Sequence, residues 1–427
     1  MNKKTFLLLA AAIAIRLLAM PVTLHGDVFH IWGVVTLSLM GIWDPFYYAV
    51  VNYQNIASST FDVYYPPAAY VIYSILLIIL NFFSSTLDEW LQFPRELILL
   101  AKDVPLNTFI QDLRSPDLFW NIFLLKTPNL IYEVVIAVGI LKLVKPDKRL
   151  KTLILWGFNP VVIYSAYMMG QIDLLTTLLV VWAVLAAVTR KKFVSLMLLV
   201  IGMMVKVLPI VLIAPMAFLL GKSWRERIGL TIYSIIIFIS FNLPFAHDLA
   251  RLRIAYFPPI MPGLADLSLR PDALVMLGKL VAAAGVGLWF TVRVIRSGRN
   301  FNPKYFPEIV GLILLLFFSA YRGALFNHYV VLMAFLILFW AKERRAVLKI
   351  MVFSGLLFLT HIYTRPLQGE LFTPLGVDWL TNFPSTRELI APWFKYEHLS
   401  LLTGAILSGW MLIEAVIRGK GLLNKAL

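Results

Sequence analysis

The chain has 427 residues, 60% of them hydrophobic and only 14% charged, and it contains no cysteine. Soluble domains carry about 25% charged residues, so the composition is that of a membrane protein, and the lack of cysteine excludes disulfides, thiolate catalysis and cysteine metal sites. The formal net charge of +15 does not point to nucleic acid, because Lys and Arg collect in the cytoplasmic loops of polytopic proteins without any anionic partner.

The first apolar run, FLLLAAAIAIRLLAMPVTL, follows MNKK and predicts a helix over about 5–22. It carries Arg16 within the run and lacks a small-x-small cleavage site, which marks a retained helix and not a signal peptide. Directly after it, HGDVFHIWG at 25–33 places Asp27 between His25 and His30 at the mouth of that helix. Two readings of Asp27 stand side by side: a partly shielded general base, or the N-cap of an interfacial helix beginning near Val28. The histidines are read as interfacial polar residues, since two histidines and one carboxylate are a thin basis for a metal site.

Further apolar runs predict spans at about 118–144, 151–168, 171–188, 193–205, 207–220, 228–245, 272–292, 305–320, 326–341, 346–363 and 399–417, each set by the ~30 Å of hydrocarbon to be crossed. The pair 193–205 and 207–220 is short and breaks at MVKVLP, where Lys206 falls near the outer surface. Discontinuous helices of this kind line cavities and do not face lipid. Basic clusters separate the runs: Lys3–Lys4, Lys142–Lys151, Arg190–Lys192, Lys222–Arg227, Arg293–Lys304, Lys342–Lys349 and Arg418–Lys425. Together they hold 24 of the 38 Lys and Arg residues, and placing them in the cytoplasm leaves 17 of the 23 acidic residues outside. That asymmetry predicts an all-α polytopic protein with about twelve crossings and both termini inside.

YPPAAYVIYSILLIILNFF at 65–83 is apolar enough to span, but a crossing there would carry Lys142–Lys151 to the outside. It is therefore expected to be a re-entrant or interfacial helix within an external loop over 23–117. The remaining long external segments are 246–271 and 364–398, so the predicted organisation is one membrane domain over 1–427. Its parts are that first loop, central helices over 118–345 and a C-terminal portion over 346–427. Elaborate loops on one face put recognition or chemistry on that face. No Walker-type glycine loop supports ATP-driven transport.

Three sets of residues stand out as carriers of chemistry. Asp27 is the first. The second lies in NPVVIYSAYMMGQIDLL at 159–175, where Gln171 and Asp173 sit in a tight outer hairpin. Asp173 is read there either as a helix cap or as part of a polar site. The third is basic: Lys126, Lys206, Arg322 and His328, in LLKTPN, MVKVLP and YRGALFNHY. Cations at one depth suit a lipid-borne phosphate held by charge-assisted hydrogen bonds, although each alone could snorkel to the interface.

The order of these motifs resembles the GT-C superfamily of polytopic glycosyltransferases, which use polyprenyl- or dolichyl-phosphate sugars. The resemblance rests on Asp27 after the first span, Tyr65-Pro66-Pro67 in the large loop and Lys126-Thr127-Pro128 entering the next span. It continues through Asn159-Pro160 with Gly170, Gln171 and Asp173, then Lys206 with Pro209 and Pro215, and closes on His328-Tyr329. The series extends over about residues 10–335, and is most similar to mannosyl- and glucosyltransferases that extend lipid-linked glycans.

That resemblance implies an inverting transfer in which Asp27 deprotonates an acceptor hydroxyl. Lys206, Arg322, His328 and Lys126 would stabilise the leaving phosphate, and Arg16, His30, Tyr65, Gln171 and Asp173 would line the substrate site. It also implies a groove beside helix 66–83 for the isoprenoid tail. Some relatives pair two acids on a divalent metal; here Gly26 and Val28 flank a single acid, which favours metal-free catalysis. The expected partners are the lipid-linked sugar donor, a lipid-linked glycan or other external acceptor, and the bilayer. The expected location is a plasma membrane with the site outside, or an ER membrane with a luminal site in a eukaryote. Competing readings are a transporter or lipid flippase, which should show paired broken helices in both halves, and a glycan polymerase or ligase.

Overall fold

A computed structural model of the chain describes residues 3–41, 65–91, 116–246, 302–320, 326–361, 369–377 and 395–426, with a few isolated positions besides. Among these residues the secondary structure is helical, and no strand occurs. In hydrocarbon every backbone N–H and C=O must be satisfied within the segment, which leaves the helix as the solution for long apolar runs. In chain order the main helices are α1 (Lys3–Val22), α2 (Gly26–Leu39), α3 (Pro67–Asn81), α4 (Leu118–Leu143) and α5 (Arg149–Gly157). They continue as α6 (Asp173–Val188), α7 (Lys192–Val205), α8 (Ile210–Leu220) and α9 (Trp224–Asn242). After an interval outside the described residues come α10 (Phe306–Ala320), α11 (Tyr329–Trp340), α12 (Ala346–Thr360) and α13 (Tyr396–Ala426).

Helices thus occupy the predicted apolar runs wherever the chain is described; the run 272–292 lies almost wholly outside. Among the described residues, four helical stretches are long and apolar enough to cross a bilayer alone: Leu118–Leu143, Trp224–Phe245, Pro303–Ala320 and His398–Leu422. The other apolar helices are shorter. Burial separates the centre of the bundle from its rim. Every residue of α11 is buried, and most of α6 is buried against it and against α4 and α7. On α9, by contrast, Ile228, Ile232, Ile235 and Ile239 form an exposed stripe at helical spacing. On a membrane helix that is the stripe that meets hydrocarbon.

α1 and α4 run antiparallel and are joined by a buried ion pair. Arg16 donates through Nε to Glu133 Oε2 and through Nη2 to Oε1, both at 2.6 Å. Its Nη1 reaches the carbonyls of Ala12 and Gly157 at 2.7 Å, and the Tyr167 hydroxyl also donates to Glu133. Seven residues nearer the far end of each helix, Thr23 after α1 and Lys126 in α4 are in contact again. The chain therefore leaves α1 and enters α4 at the same end of the bundle.

At the opposite end a second ionic cluster ties α13 to the α11–α12 turn. Lys349 lies 2.7 Å from both Glu343 and Glu414, and Arg418 pairs with the same two carboxylates. Trp340 donates to Glu414 at 3.3 Å. Ion-paired carboxylates inside a helical bundle satisfy groups that are costly to leave alone.

Candidate active site

The site end of the bundle is built by breaks in helices. After α5, Asn159 caps the next turn, its side chain accepting from the backbone N–H groups of Val161 and Val162. Pro160 occupies the first helical position, where its missing N–H is no loss. The helix then widens into a π-segment, Ile163–Met168, a distortion that often marks functional positions. Gly170 follows with φ +73°, a left-handed conformation that glycine adopts without penalty. A Cβ there would lie 2.5 Å from Val28 Cγ2. The hairpin is thus pressed directly against the first turn of α2.

Asp173 occupies the first position of α6, and the N-cap position belongs to Ile172, with no side-chain cap. The capping reading of Asp173 is corrected by this geometry. Its carboxylate is turned instead to Lys206, whose Nζ lies 2.8 Å from both Oδ1 and Oδ2. Lys206 reaches it because α7 ends at Val205, and Lys206 continues in extended conformation before α8 resumes at Ile210. The expected break at MVKVLP is therefore present. Asn327, on the short turn before α11, donates to Asp173 Oδ2 at 2.7 Å. Tyr65 completes the group: its hydroxyl donates to Gln171 Oε1 at 3.3 Å, and its ring centroid lies 6.0 Å from Lys206 Nζ. His328, half-buried, follows Asn327 and lies within electrostatic reach of Lys206, Asp173 and His361.

Tyr65, Gln171, Asp173 and Lys206 are accordingly drawn together from three separate segments, with His328 beside them. Arg16 and Lys126 are not part of that group. Arg16 is enclosed by Glu133 and two carbonyls, as described above. Lys126 is 1% exposed; its ammonium contacts the Thr23 carbonyl at 2.5 Å, Thr23 Oγ1 at 3.0 Å, and the carbonyls of Tyr167 and Met168 at 2.9 and 3.1 Å. Asp27 lies in the first turn of α2, which begins at Gly26 and not near Val28. The N-cap reading therefore does not fit its backbone position, because the Val28 N–H closes back on His25. The side chains of Asp27 and His30, and Arg322 altogether, lie outside the described residues.

The sequence reading passed over Asn327, Glu133, Tyr167 and Thr23. Glu133 carried a usable signal, an acid inside an apolar run two turns after Lys126, and such residues call for a partner. Asn327 carried only its adjacency to His328. Among the described residues no three His, Asp or Glu side chains are arranged to hold a metal ion.

The described residues thus form a helical bundle with charged side chains gathered where its helices break. The family model of glycosyltransferase family 87 matches residues 123–362, more than half of the chain. The chain belongs to that family and is a glycosyltransferase, consistent with a GT-C-type polytopic enzyme. The matched region contains Lys126, the Asn159–Asp173 hairpin, Lys206 and His328, whereas Asp27 and Tyr65 precede it. No curated protein and no solved structure matches the chain. Family membership favours the enzyme over the transporter and flippase readings.

Proposed function

We propose that this glycosyltransferase moves a hexose, mannose or glucose, from a polyprenyl- or dolichyl-phosphate donor to a lipid-linked glycan or similar acceptor at the outer membrane surface. The observation that carries the reading is the meeting of Lys206, Asp173 and Asn327 at a helix break, beside the hairpin that abuts α2. Asp173 takes up two of the three N–H groups of Lys206 and fixes their direction; the third can meet a phosphate oxygen. Lys206 retains 15% side-chain exposure against 7% for Asp173, so the cation is the more accessible of the two.

In the proposed step the carboxylate of Asp27 takes the proton of the acceptor hydroxyl. The acceptor oxygen bonds to the anomeric carbon as the bond from that carbon to the phosphate oxygen breaks, with inversion. The phosphate leaves with the electron pair, and Lys206, with Arg322 and His328, balances the charge that grows on it. The scheme uses no metal, in keeping with the single acid at Asp27. The lipid tail is assigned to the outer face of α3, where Val71, Ile75, Ile78 and Ile79 are exposed while Tyr70, Tyr73, Leu77 and Leu80 are buried.

The positions of the basic clusters support about twelve crossings, cytoplasmic termini and an external site in a plasma membrane, or a luminal one in the ER. Mass spectrometry of lipid copurifying with the protein tests the donor class. A polyprenyl or dolichyl phosphate, with or without hexose, is expected; recovery of bulk phospholipid alone would count against it.

A further inference from the structure

Lys126 is a cation buried among neutral groups. Its four acceptors are three carbonyls and one hydroxyl, and an ammonium has three hydrogens to give. No donor capacity remains for a substrate phosphate. A buried charge held only by neutral dipoles is expensive, and within a membrane bundle it marks a task beyond filling space.

The identity of the acceptors defines that task. The Thr23 carbonyl follows the last residue of α1, and the Tyr167 and Met168 carbonyls end the π-segment. Helix C-termini leave carbonyls unpaired and carry partial negative charge, so one ammonium satisfies both ends at once. Thr23 is four residues before Asp27, and Met168 is five residues before Asp173. The hydroxyl of Thr23 also reaches toward the Tyr167 carbonyl at 3.3 Å. One turn further along α4, Asn129 donates to the Ala166 carbonyl at 2.7 Å and braces the same π-segment. Gly170 leaves no space for a methyl between the hairpin and Val28, the neighbour of Asp27.

We infer that Lys126 is a positioning residue that fixes the Asp27 end of α2 against the Asp173–Lys206 half of the site, and is not a ligand of the donor phosphate. The inference rests on the reading of Asp27 and Lys206 as the two halves of the reacting centre. Loss of this clamp shifts the halves relative to one another while leaving the phosphate ligands in place. It lowers turnover and spares donor affinity.

The test uses the purified full-length protein in nanodiscs. Turnover is measured with farnesyl-phosphate mannose and farnesyl-phosphate glucose in turn, and affinity with farnesyl phosphate alone. Lys126→Met should lower kcat by about 30- to 100-fold, in the range that misplacement by an ångström produces, with KM and farnesyl phosphate affinity within about twofold of wild type. Thr23→Val, a gentler change to the same junction, should lower kcat by about 3- to 10-fold with KM unchanged, and it decides the matter if Lys126→Met does not fold. A weakening of farnesyl phosphate binding by tenfold in Lys126→Met would make Lys126 a phosphate ligand and overturn the inference. Unchanged kcat in the folded variants would overturn it as well. Asp27→Asn, measured in parallel, separates the two claims: full turnover there removes the Asp27 reading whatever the Lys126 variants do.

Discussion

Lys206 grips both carboxylate oxygens of Asp173 at 2.8 Å across 33 residues of sequence, from a point where one helix has ended and the next has not begun. The break frees the Lys206 backbone from helical geometry, and the start of α6 brings Asp173 to it. Asn327 holds the second oxygen of the same carboxylate. The pair therefore joins three segments and sets where a positive charge is presented.

Removal of one partner should be worse than removal of both. Lys206→Met leaves the Asp173 carboxylate buried without its cation, a change of about 3–5 kcal/mol for a buried pair. Lys206→Met combined with Asp173→Asn should recover a large part of that loss. Thermal unfolding of the two variants in detergent checks the order. Equal destabilisation by the single and double changes would show that the orphaned carboxylate is not the source of the loss.

Arg16 makes its bonds to Glu133, Ala12 and Gly157, so its substitution should act on the fold and not on the substrate. Arg16→Met should destabilise by about 3–5 kcal/mol, the range for an orphaned buried charge, and leave donor KM within about twofold in the protein that remains folded. A tenfold rise in donor KM at wild-type stability would return Arg16 to the substrate site.

The exposed face of α3 should select for lipid length. Ile75→Asn with Ile79→Asn removes apolar surface at about 25 cal/mol per Å². It should raise KM about tenfold for a long-chain polyprenyl-phosphate sugar and much less for a farnesyl one. Parallel kinetics with the two donors show the difference, and equal effects on both would place the tail elsewhere.

Transfer should withstand chelation. Incubation with EDTA before assay is expected to leave turnover within about twofold, because the proposed charge stabilisation at the leaving phosphate comes from side chains. A loss restored by added magnesium or manganese would put a metal in the scheme.

Much of this architecture was legible in the chain. Hydropathy located the helices because every apolar run of bilayer length must satisfy its own backbone, and the Pro-flanked MVKVLP break was visible for the same reason. Gln171, Asp173 and Lys206 were recognised as polar exceptions in such runs. Their partners were less accessible, since the contacts of Asp173 with Lys206 and Asn327 span 33 and 154 residues. A lone cation in an apolar run looks alike whether it awaits a substrate or is already paired. Arg16 and Lys126 were grouped with substrate-facing residues on that basis, and only the fold shows them enclosed. The start of α2 at Gly26 was missed by about two residues, because the residue before it, His25, is not among the types that usually announce a helix start.

The central claim is transfer of a hexose from a lipid phosphate with Asp27 as base. The most direct measurement follows radiolabelled hexose from a polyprenyl-phosphate donor into product, using wild type and Asp27→Asn in equal folded amounts. The account predicts transfer by wild type and a loss of about 100-fold or more in Asp27→Asn, the scale of a general base. Equal transfer by both proteins would contradict it.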